Sequence, residues 1–256
     1  MEWPQLRDEI IATTAKVGNL LSALPAGDRP LARVRWSVAE TGAHLVSLPR
    51  RYRRMIGAPR PFPASLARDN QHELAAVPER DPRALAGLLT AEVGELLDAL
   101  GPDGRRPVWY FSVAHTAAGI GGIMLTELLV HGLDLARAAG RPWPITRPQA
   151  AACLRGVLPA VVGFTDPAAA RAATGTYHLH LRGGRDWTIR IQDAAVNVEP
   201  GRPPRADLHF SADPVAFLLN SYGHLGRTRA LLTGRMIAWG RRPWLAERFG
   251  RTFRET

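Results

Sequence analysis

Two polar residues interrupt the strongly apolar segment Thr126–Gly140 at a spacing that could bind a metal. Glu127 and His131 are four residues apart among leucines, and residues at that spacing share one face of a helix. A carboxylate and an imidazole on one face are either a hydrogen-bonded structural pair, with Arg137 near the helix end, or two ligands of a metal site. The pair alone leaves both alternatives open.

A third candidate ligand lies in an earlier segment that is also predicted to be helical. Ser37 and Glu40 have the spacing of a capping box, which predicts a helix beginning at about Val38. His44 lies in that helix, on the apolar side that should face other helices. Two imidazoles and one carboxylate suit zinc, and three protein ligands leave a coordination position for water, a thiol or a substrate, as in catalytic sites.

Other polar residues could support such a site. Asp134 follows His131 by one turn on the same face; it could orient a ligand or pair with a surface arginine, and we favour the first role. His115 could act as an acid or base near the substrate, or could only cap the following helix. Asn70 and His72 could contact a thiol cofactor, although a polar surface turn is the simpler interpretation.

The elements that would position these residues are four long helices, consistent with a bundle that has its sites between facing helices. Helical periodicity and cap signals predict them at Trp3–Leu24, from about Val38, from Pro82 to Leu100 and roughly at Thr116–Ala139. Gly101 should end the third helix. Pro49 should kink or stop the second helix soon after His44.

The pattern changes after a proline-rich boundary at residues 140–148. We predict one further helix at Pro148–Phe164 and then an α+β domain whose antiparallel sheet begins with a β-hairpin around Gly183-Gly184. The predicted domains are 1–143, a four-helix metal-binding domain, and 144–256, a small α+β domain.

The alternating residues of the first predicted strand separate a core face from a second face. Tyr177, Leu179 and Leu181 are expected to face the core. His178 and His180 lie on the opposite face. They could bind a metal, but solvent exposure is the expected state.

Composition excludes several classes of protein. The 256 residues are 46% hydrophobic and carry a formal net charge of +10, so the chain can bury a core and attract anions. Cys153 is the only cysteine, which excludes an internal disulfide and fits a cytoplasmic protein. No run of about 20 apolar residues predicts a membrane span. The basic segment Pro49–Arg54 lacks any accompanying nucleic-acid motif, so no nucleic-acid partner is predicted.

Three segments resemble one protein family. RWSVAETGAHL is similar to the second helix of DinB-like proteins, and TELLVHGLDLARAAGRPWPI resembles the E-x-x-x-H segment of the mycothiol-dependent maleylpyruvate isomerase family. The C-terminal segment from DPVAFLLN to RFGRTF resembles the end of that family's second domain, which is similar to sterol carrier protein type two. The resemblance implies a DinB-like four-helix bundle followed by a sterol-carrier-like α+β domain.

The resemblance also implies a ligand set and a co-substrate. Its metal ligands correspond to His44, Glu127 and His131, and the expected metal is Zn²⁺ or another divalent ion. Mycothiol is the expected thiol co-substrate, since a zinc-bound thiol is deprotonated and the thiolate is the nucleophile. The family's anion-binding arginine is placed at Arg80, in roughly the right region but without an anchoring motif.

The sequence therefore predicts a zinc-dependent, mycothiol-using isomerase or S-transferase that acts on a small electrophilic, anionic substrate. An isomerase and a transferase need the same metal site, so the motifs do not separate them. Two alternatives remain: a zinc hydrolase that uses no thiol, and a non-catalytic small-molecule binding protein. The expected partners are the substrate and the thiol, without a membrane, and the expected assembly is a monomer or weak homodimer.

Overall fold

The computed structural model describes residues 1–24, 27–32 and 36–253. The chain divides into two compact units, Met1–Ile145 and Thr146–Thr256. Within the described residues, the first unit consists of helices and one short hairpin, and the second unit combines helices with a five-stranded sheet. The predicted fold class, a helical bundle followed by an α+β domain, is confirmed.

The first unit contains the four predicted long helices, a shorter helix and two strands. They are α1 (Trp3–Ala23), α2 (Val38–Met55), α3 (Leu66–Ala75), α4 (Pro82–Leu100), β1 (Pro107–Tyr110), β2 (Val113–Thr116) and α5 (Ala117–Ala138). Helix α1 packs against α4 and α5, and α2 packs against α4, α5 and α3. The four long helices therefore form a closed bundle, with α2 and α5 in contact where the candidate ligands lie.

Local sequence signals begin and end these helices as predicted. The Ser37 hydroxyl accepts a hydrogen bond from the Glu40 amide, and the Glu40 carboxylate accepts one from the Ser37 amide at 2.8 Å, which completes a capping box. Asp81 caps α4, and Gly101 ends it with a φ of 75°, in the left-handed region that glycine adopts without steric cost.

Pro49 does not stop α2, which continues to Met55. A proline inside a helix removes a hydrogen bond and costs about 3 kcal/mol. The continuation buries Tyr52 and Met55, each 1% exposed, and burial of one such side chain contributes about 1.5–3 kcal/mol. Burial of this last part of the helix offsets the cost of the proline, so of the expected kink or stop at Pro49 the stop is wrong.

The β1–β2 hairpin was missed because strands of four residues are too short for a clear alternation. Tyr110 pairs with Val113 across a two-residue turn, in which Phe111 has a φ of 51°. The hairpin buries Tyr110 and brings its ring within 6.1 Å of Tyr52 on α2. It thereby adds an aromatic wall to the bundle.

The second unit contains five α-helices, one 3₁₀ helix and five strands among its described residues. They are α6 (Arg147–Ala160), the 3₁₀ helix Val161–Phe164, α7 (Pro167–Ala172), β3 (Gly175–Leu181), β4 (Asp186–Gln192), β5 (Ala195–Pro200), β6 (Leu208–Ala212), α8 (Pro214–Ser221), α9 (Arg227–Leu232), β7 (Met236–Gly240) and α10 (Leu245–Arg251). Helix α6 packs against α8, and α7 packs against α10 and strand β4.

The sheet has the strand order β5-β4-β3-β6-β7 and is mixed. The predicted β3–β4 hairpin is antiparallel, as are the β4–β5 and β6–β7 pairs, but β6 runs parallel to β3. The predicted antiparallel sheet therefore contains one parallel pair that was not predicted. This pair depends on the β5–β6 connection, which crosses two strands. Periodicity along one strand carries no signal for that connection.

The central strand β3 buries one residue that was expected to be exposed. Tyr177, Leu179 and Leu181 face the core as predicted, but His178 is only 5% exposed. His178 is paired with Thr188 on β4 and with His209 on β6, so a strand flanks it on each side. The side chain of His180, nearer the end of the strand, is 44% exposed.

Helix α5 is, among the described helices, the one long and apolar enough to cross a membrane. Of its most apolar stretch, 83% is buried within the structure. Burial of this extent is typical of a helix at the centre of a bundle.

Candidate metal centre

Helices α2 and α5 bring His44, Glu127 and His131 together. His44 comes from α2, and Glu127 and His131 lie one turn apart on α5. One ligand atom from each residue can be chosen so that all three atoms lie within 4.8 Å of one another. Among the described residues, this is the one group of three or more His, Cys, Asp or Glu side chains that meets this spacing. The bundle cluster is the name used below for these three residues.

The distances in the bundle cluster distinguish a metal site from a hydrogen-bonded pair. The Glu127 Oε2 atom lies 3.4 Å from His131 Nε2 and 3.9 Å from His44 Nε2. Good hydrogen bonds of this kind are about 2.7–3.2 Å long. Bonds of about 2.0–2.2 Å to a tetrahedral metal place neighbouring ligand atoms about 3.3–3.6 Å apart. The observed separations therefore suit ligands around an ion better than they suit a direct hydrogen bond.

The protonation states also fit ligands of a divalent ion. Burial lowers the pKa of His44 to about 4, so its imidazole is neutral at pH 7 and has a lone pair to donate. Burial acts to raise the pKa of Glu127, but His131 and His44 beside it outweigh this effect and hold the pKa well below its usual range. An ionised carboxylate and a neutral imidazole therefore lie side by side, and both can donate a lone pair to a cation.

The outer ring nitrogens of both histidines are buried without a hydrogen-bond partner in the described part of the chain. These atoms are Nδ1 of His44 and Nδ1 of His131. Buried polar atoms without partners are uncommon and costly. The histidines are thus held by packing rather than by hydrogen bonds, and their Nε2 atoms converge on the carboxylate.

Trp36 covers the two imidazoles. Its ring centroid lies 4.4 Å from that of His44 and 5.9 Å from that of His131, and its indole N–H donates a hydrogen bond to Gln71 on α3 at 3.3 Å. The indole therefore shields the bundle cluster from water on one side. Trp36 lies in a segment that resembles a family motif. The sequence gave no signal for its hydrogen bond to Gln71, because the two residues are 35 positions apart.

A buried ion pair braces α2 beside the cluster. The Arg51 guanidinium, with 7% of its side chain exposed, donates to Glu73 at 2.7 Å and to Asn70 at 2.6 Å. Burial is the largest cause of the low pKa of His44, the charges of His131 and Arg51 lower it further, and Glu127 acts to raise it. Arg51 was missed as a site residue, although it lies seven positions after His44 and so shares its helix face.

Tyr110 adds a neutral phenol near the same carboxylate. Burial, followed by the negative charge of Glu127, raises the pKa of Tyr110 above its usual range. The phenol therefore stays protonated at neutral pH and can donate a hydrogen bond. The sequence gave no signal for this residue, since it lies on the hairpin that was not predicted.

Asp134 is buried and forms an ion pair with Arg137, at 3.7 Å between Oδ1 and Nη1. Neither imidazole Nδ1 atom of the bundle cluster has a hydrogen-bond partner among the described residues. The described contacts thus show the pairing with an arginine that the sequence offered as the alternative, and the expected role of Asp134 in orienting a ligand stays a prediction.

The three remaining predicted residues lie outside the bundle cluster. Asn70, on α3, accepts the bond from Arg51 described above, so it contributes to the brace. Arg80 is exposed and its guanidinium donates to the Val77 and Glu79 carbonyl oxygens of its own loop. His115 lies on β2 before the start of α5, on the order of 15 Å along the helix axis from Glu127 at 1.5 Å per residue.

The basic segment Pro49–Arg54 is largely neutralised within the bundle. Arg50 and Arg53 pair with Glu92, and Arg51 and Arg54 pair with Glu73. Carboxylates from α3 and α4 therefore occupy the guanidinium groups that a phosphate backbone would need.

Comparison with known families agrees with this architecture. The profile described as mycothiol maleylpyruvate isomerase N-terminal domain matches residues 6–136, and that of the SCP-2 sterol transfer family matches residues 163–240. No curated protein matches the chain.

Solved structures with a similar fold are also known. The crystal structure of the mycothiol-dependent maleylpyruvate isomerase is 15% identical, with a TM-score of 0.51 over 89% of this chain and 91% of that chain. Sterol carrier protein 2 like 2 from Aedes aegypti is 20% identical over 42% of this chain and 100% of that chain, with a TM-score of 0.36. At these identities the first likeness shows the fold.

Proposed function

Because the chain belongs to the mycothiol maleylpyruvate isomerase N-terminal domain family, and so is a maleylpyruvate isomerase-like protein, we propose that it is a divalent-metal-dependent, thiol-using isomerase or S-transferase. The proposed ion is Zn²⁺, the proposed thiol is mycothiol, and the proposed substrate is a small anionic electrophile. The observation that supports this proposal is the bundle cluster, in which the neutral imidazole of His44, the ionised carboxylate of Glu127 and the imidazole of His131 bring one ligand atom each to within 4.8 Å of one another.

His44, Glu127 and His131 would hold the ion through their Nε2, Oε2 and Nε2 atoms. When bound, a divalent ion of this kind lowers the pKa of a thiol and so supplies the nucleophilic thiolate at neutral pH. Three protein ligands leave room for one exogenous ligand. The Glu127 side chain is 19% exposed, more than either histidine, so access to the cluster is from the side of the carboxylate.

The surrounding residues favour anions and exclude water. A charge of −1 on the ligand set does not neutralise a divalent cation, so the loaded site keeps a net positive charge that attracts thiolates and carboxylates. The Trp36 ring shields the imidazoles on one side.

The reaction of an isomerase of this type is balanced without any other reactant. The thiolate adds to one carbon of an activated cis alkene, and the adjacent carbonyl takes up the electron pair. The former double bond then rotates as a single bond, and loss of the same thiolate forms the trans alkene. A transferase keeps the sulfur–carbon bond, and the enolate then takes up a proton from solvent at carbon to give the thioether.

Metal analysis tests the ligand assignment. Tag-free wild-type protein should contain at least one equivalent of zinc, and His44→Ala and His131→Ala should each contain one equivalent less. His72→Ala is the matched control, because His72 is an exposed histidine on α3 outside the bundle cluster, and it should retain the ion. Equal, negligible zinc in all four proteins would refute the assignment.

A thiol-dependence assay tests the reaction class. Maleylpyruvate should be consumed only when mycothiol is added; a trans product indicates isomerisation, and a stable thioether found by mass spectrometry indicates S-transfer. Equal turnover of an activated ester with and without thiol would instead identify a hydrolase. Tight ligand binding without turnover would identify a binding protein.

A further inference from the structure

A second group of imidazole and carboxylate side chains lies on the sheet of the second unit, and the proposed function does not use it. His178 and His180 alternate along β3 and therefore point to the same face. Asp186 on β4 is directly opposite His180 in the strand register. The sheet cluster is the name used below for His178, His180 and Asp186.

Hydrogen-bond distances join all three side chains through one carboxylate oxygen. Asp186 Oδ1 lies 2.7 Å from His180 Nδ1 and 3.1 Å from His178 Nε2. Burial acts to raise the pKa of Asp186, but the bonds from His180 and His178 outweigh it and leave the pKa below its usual value. The carboxylate is therefore ionised at neutral pH and has two nitrogen atoms beside it.

His209 on the neighbouring strand β6 supplies the support that a metal-binding histidine needs. A histidine that binds a metal through Nε2 carries its proton on Nδ1 and donates it to an acceptor. Nδ1 of His178 lies 3.1 Å from Nδ1 of His209. Burial, followed by the charge of His178, lowers the pKa of His209, which favours the neutral ring that can accept this bond.

We propose that His178 Nε2, His180 Nδ1 and Asp186 Oδ1 form a second divalent-cation site, with His209 as the hydrogen-bond partner of His178. Two imidazoles and one carboxylate select borderline transition ions such as Zn²⁺, Co²⁺ or Ni²⁺ rather than Mg²⁺ or Ca²⁺. The ion takes the place of the protons that the two nitrogens now share with Asp186.

Admission of the ion requires the partly exposed side chains to move. Ligand atoms around a tetrahedral ion are about 3.3–3.6 Å apart, so the two nitrogen–oxygen distances must open by about 0.2–0.9 Å. The sheet cluster does not meet the 4.8 Å spacing that the bundle cluster meets, so the two imidazole nitrogens must also approach each other. His180 and Asp186 have side chains that are 44% and 36% exposed, and both can turn. His178 is held by its strand neighbours and fixes the position of the site. A bound ion would link β3 to β4 and leave one coordination position open.

Cobalt and zinc titration of tag-free, EDTA-treated protein tests this site separately from the bundle cluster. In the His44→Ala/His131→Ala double variant, one equivalent of Co²⁺ should remain, detected by visible absorption bands and by equilibrium dialysis with Zn²⁺. Adding His180→Ala or Asp186→Asn should weaken this remaining equivalent at least about tenfold. Adding His224→Ala, a histidine of the same unit outside the sheet cluster, should leave it unchanged.

The outcomes are decisive in either direction. A double variant that binds no ion, or one whose remaining equivalent is unaffected by His180→Ala and Asp186→Asn, overturns the proposal. If the double variant does not fold, the same comparison is made on wild-type protein, in which His180→Ala should reduce two equivalents to one. A wild-type stoichiometry of one that His180→Ala does not change also overturns it.

Discussion

The bundle cluster and the sheet cluster use the same donor types but hold them at different distances. In the bundle, the carboxylate oxygen is 3.4 and 3.9 Å from the two imidazole nitrogens. On the sheet, the corresponding distances are 2.7 and 3.1 Å. The first set is too long for good hydrogen bonds and nearer to the separation of about 3.3–3.6 Å between ligands around an ion, and the second set has the spacing of hydrogen bonds.

The difference follows from the elements that carry the residues. Rigid, buried helices α2 and α5 set the positions of the bundle ligands, so the side chains cannot move together to satisfy one another. Neighbouring strands lie about 4.8 Å apart, and the partly exposed His180 and Asp186 can close onto each other. A set of donor atoms already held apart loses less on binding an ion than a cluster whose hydrogen bonds must be broken. We therefore expect the bundle cluster to bind the tighter ion.

The largest predicted effect is a loss of stability when the Arg51–Glu73 ion pair, which braces α2 beside the bundle cluster, is removed. Glu73→Ala leaves the Arg51 guanidinium, 7% exposed, without its carboxylate, and an unpaired buried charge costs about 3 kcal/mol or more. Glu95→Ala is the matched control: Glu95 pairs with Arg53 but is 64% exposed, so its loss should cost less than about 1 kcal/mol. Urea denaturation followed by circular dichroism at 222 nm measures both, and equal losses would contradict the brace.

The second prediction concerns the stability of the metal-free protein at acidic pH. The pKa of His44 is about 4 in the folded chain against an ordinary value of 6.5, so the unfolded chain binds the extra proton first as pH falls. Metal-free protein should therefore lose up to about 3 kcal/mol of stability between pH 6.5 and pH 4.

A variant that cannot titrate isolates the contribution of His44 to this loss. His44→Gln should flatten the dependence of the urea midpoint on pH, and the exposed-histidine variant His72→Gln should keep the wild-type slope. A His44→Gln protein with an unchanged slope would show that the loss arises elsewhere.

The third prediction compares Trp36, which contacts the bundle cluster, with Trp239, which contacts His209 beside the sheet cluster. Trp36 lies over His44 and His131, whereas Trp239 stacks on His209 at 5.4 Å between ring centroids. Trp36→Ala admits water to the bundle ligands and should weaken zinc binding there about tenfold, as is typical of residues around a ligand shell. Trp239→Ala should leave that affinity unchanged. A competitive zinc chelator measures both, and equal effects would mean that the indole does not shield the ligands.

The smallest predicted effect is on the metal-free sheet cluster. Asp186→Asn keeps an acceptor oxygen on a partly exposed side chain, so it should change the free energy of unfolding by less than about 1 kcal/mol at pH 7. The pKa of Asp186 is lowered, so its stabilising contribution is present above the ordinary value of about 3.9 and is lost only below it. Thermal melts should accordingly show the same pH dependence for Asp186→Asn and wild type between pH 7 and pH 5.

Much of the fold could be predicted because its signals are local. Helix caps such as Ser37 and Asp81, the apolar periodicity of the four long helices and the alternation in β3 and β4 each depend on residues close in sequence. The β1–β2 hairpin, the parallel pairing of β6 with β3 and the continuation of α2 past Pro49 were not predicted. The hairpin is local, but its strands are too short to show alternation, whereas the other two features depend on contacts between segments that are distant in sequence.

The sequence by itself determined which residues could be ligands: His44 and the Glu127–His131 pair occupy apolar helix faces because helical spacing places them there. Only the tertiary structure decided how far apart they lie, that Trp36 and Arg51 adjoin them, and that Asp134 pairs with Arg137. It also buried His178, which the strand pattern alone left exposed. Faces follow from backbone periodicity, whereas separations of a few tenths of an ångström follow from the packing of elements against one another.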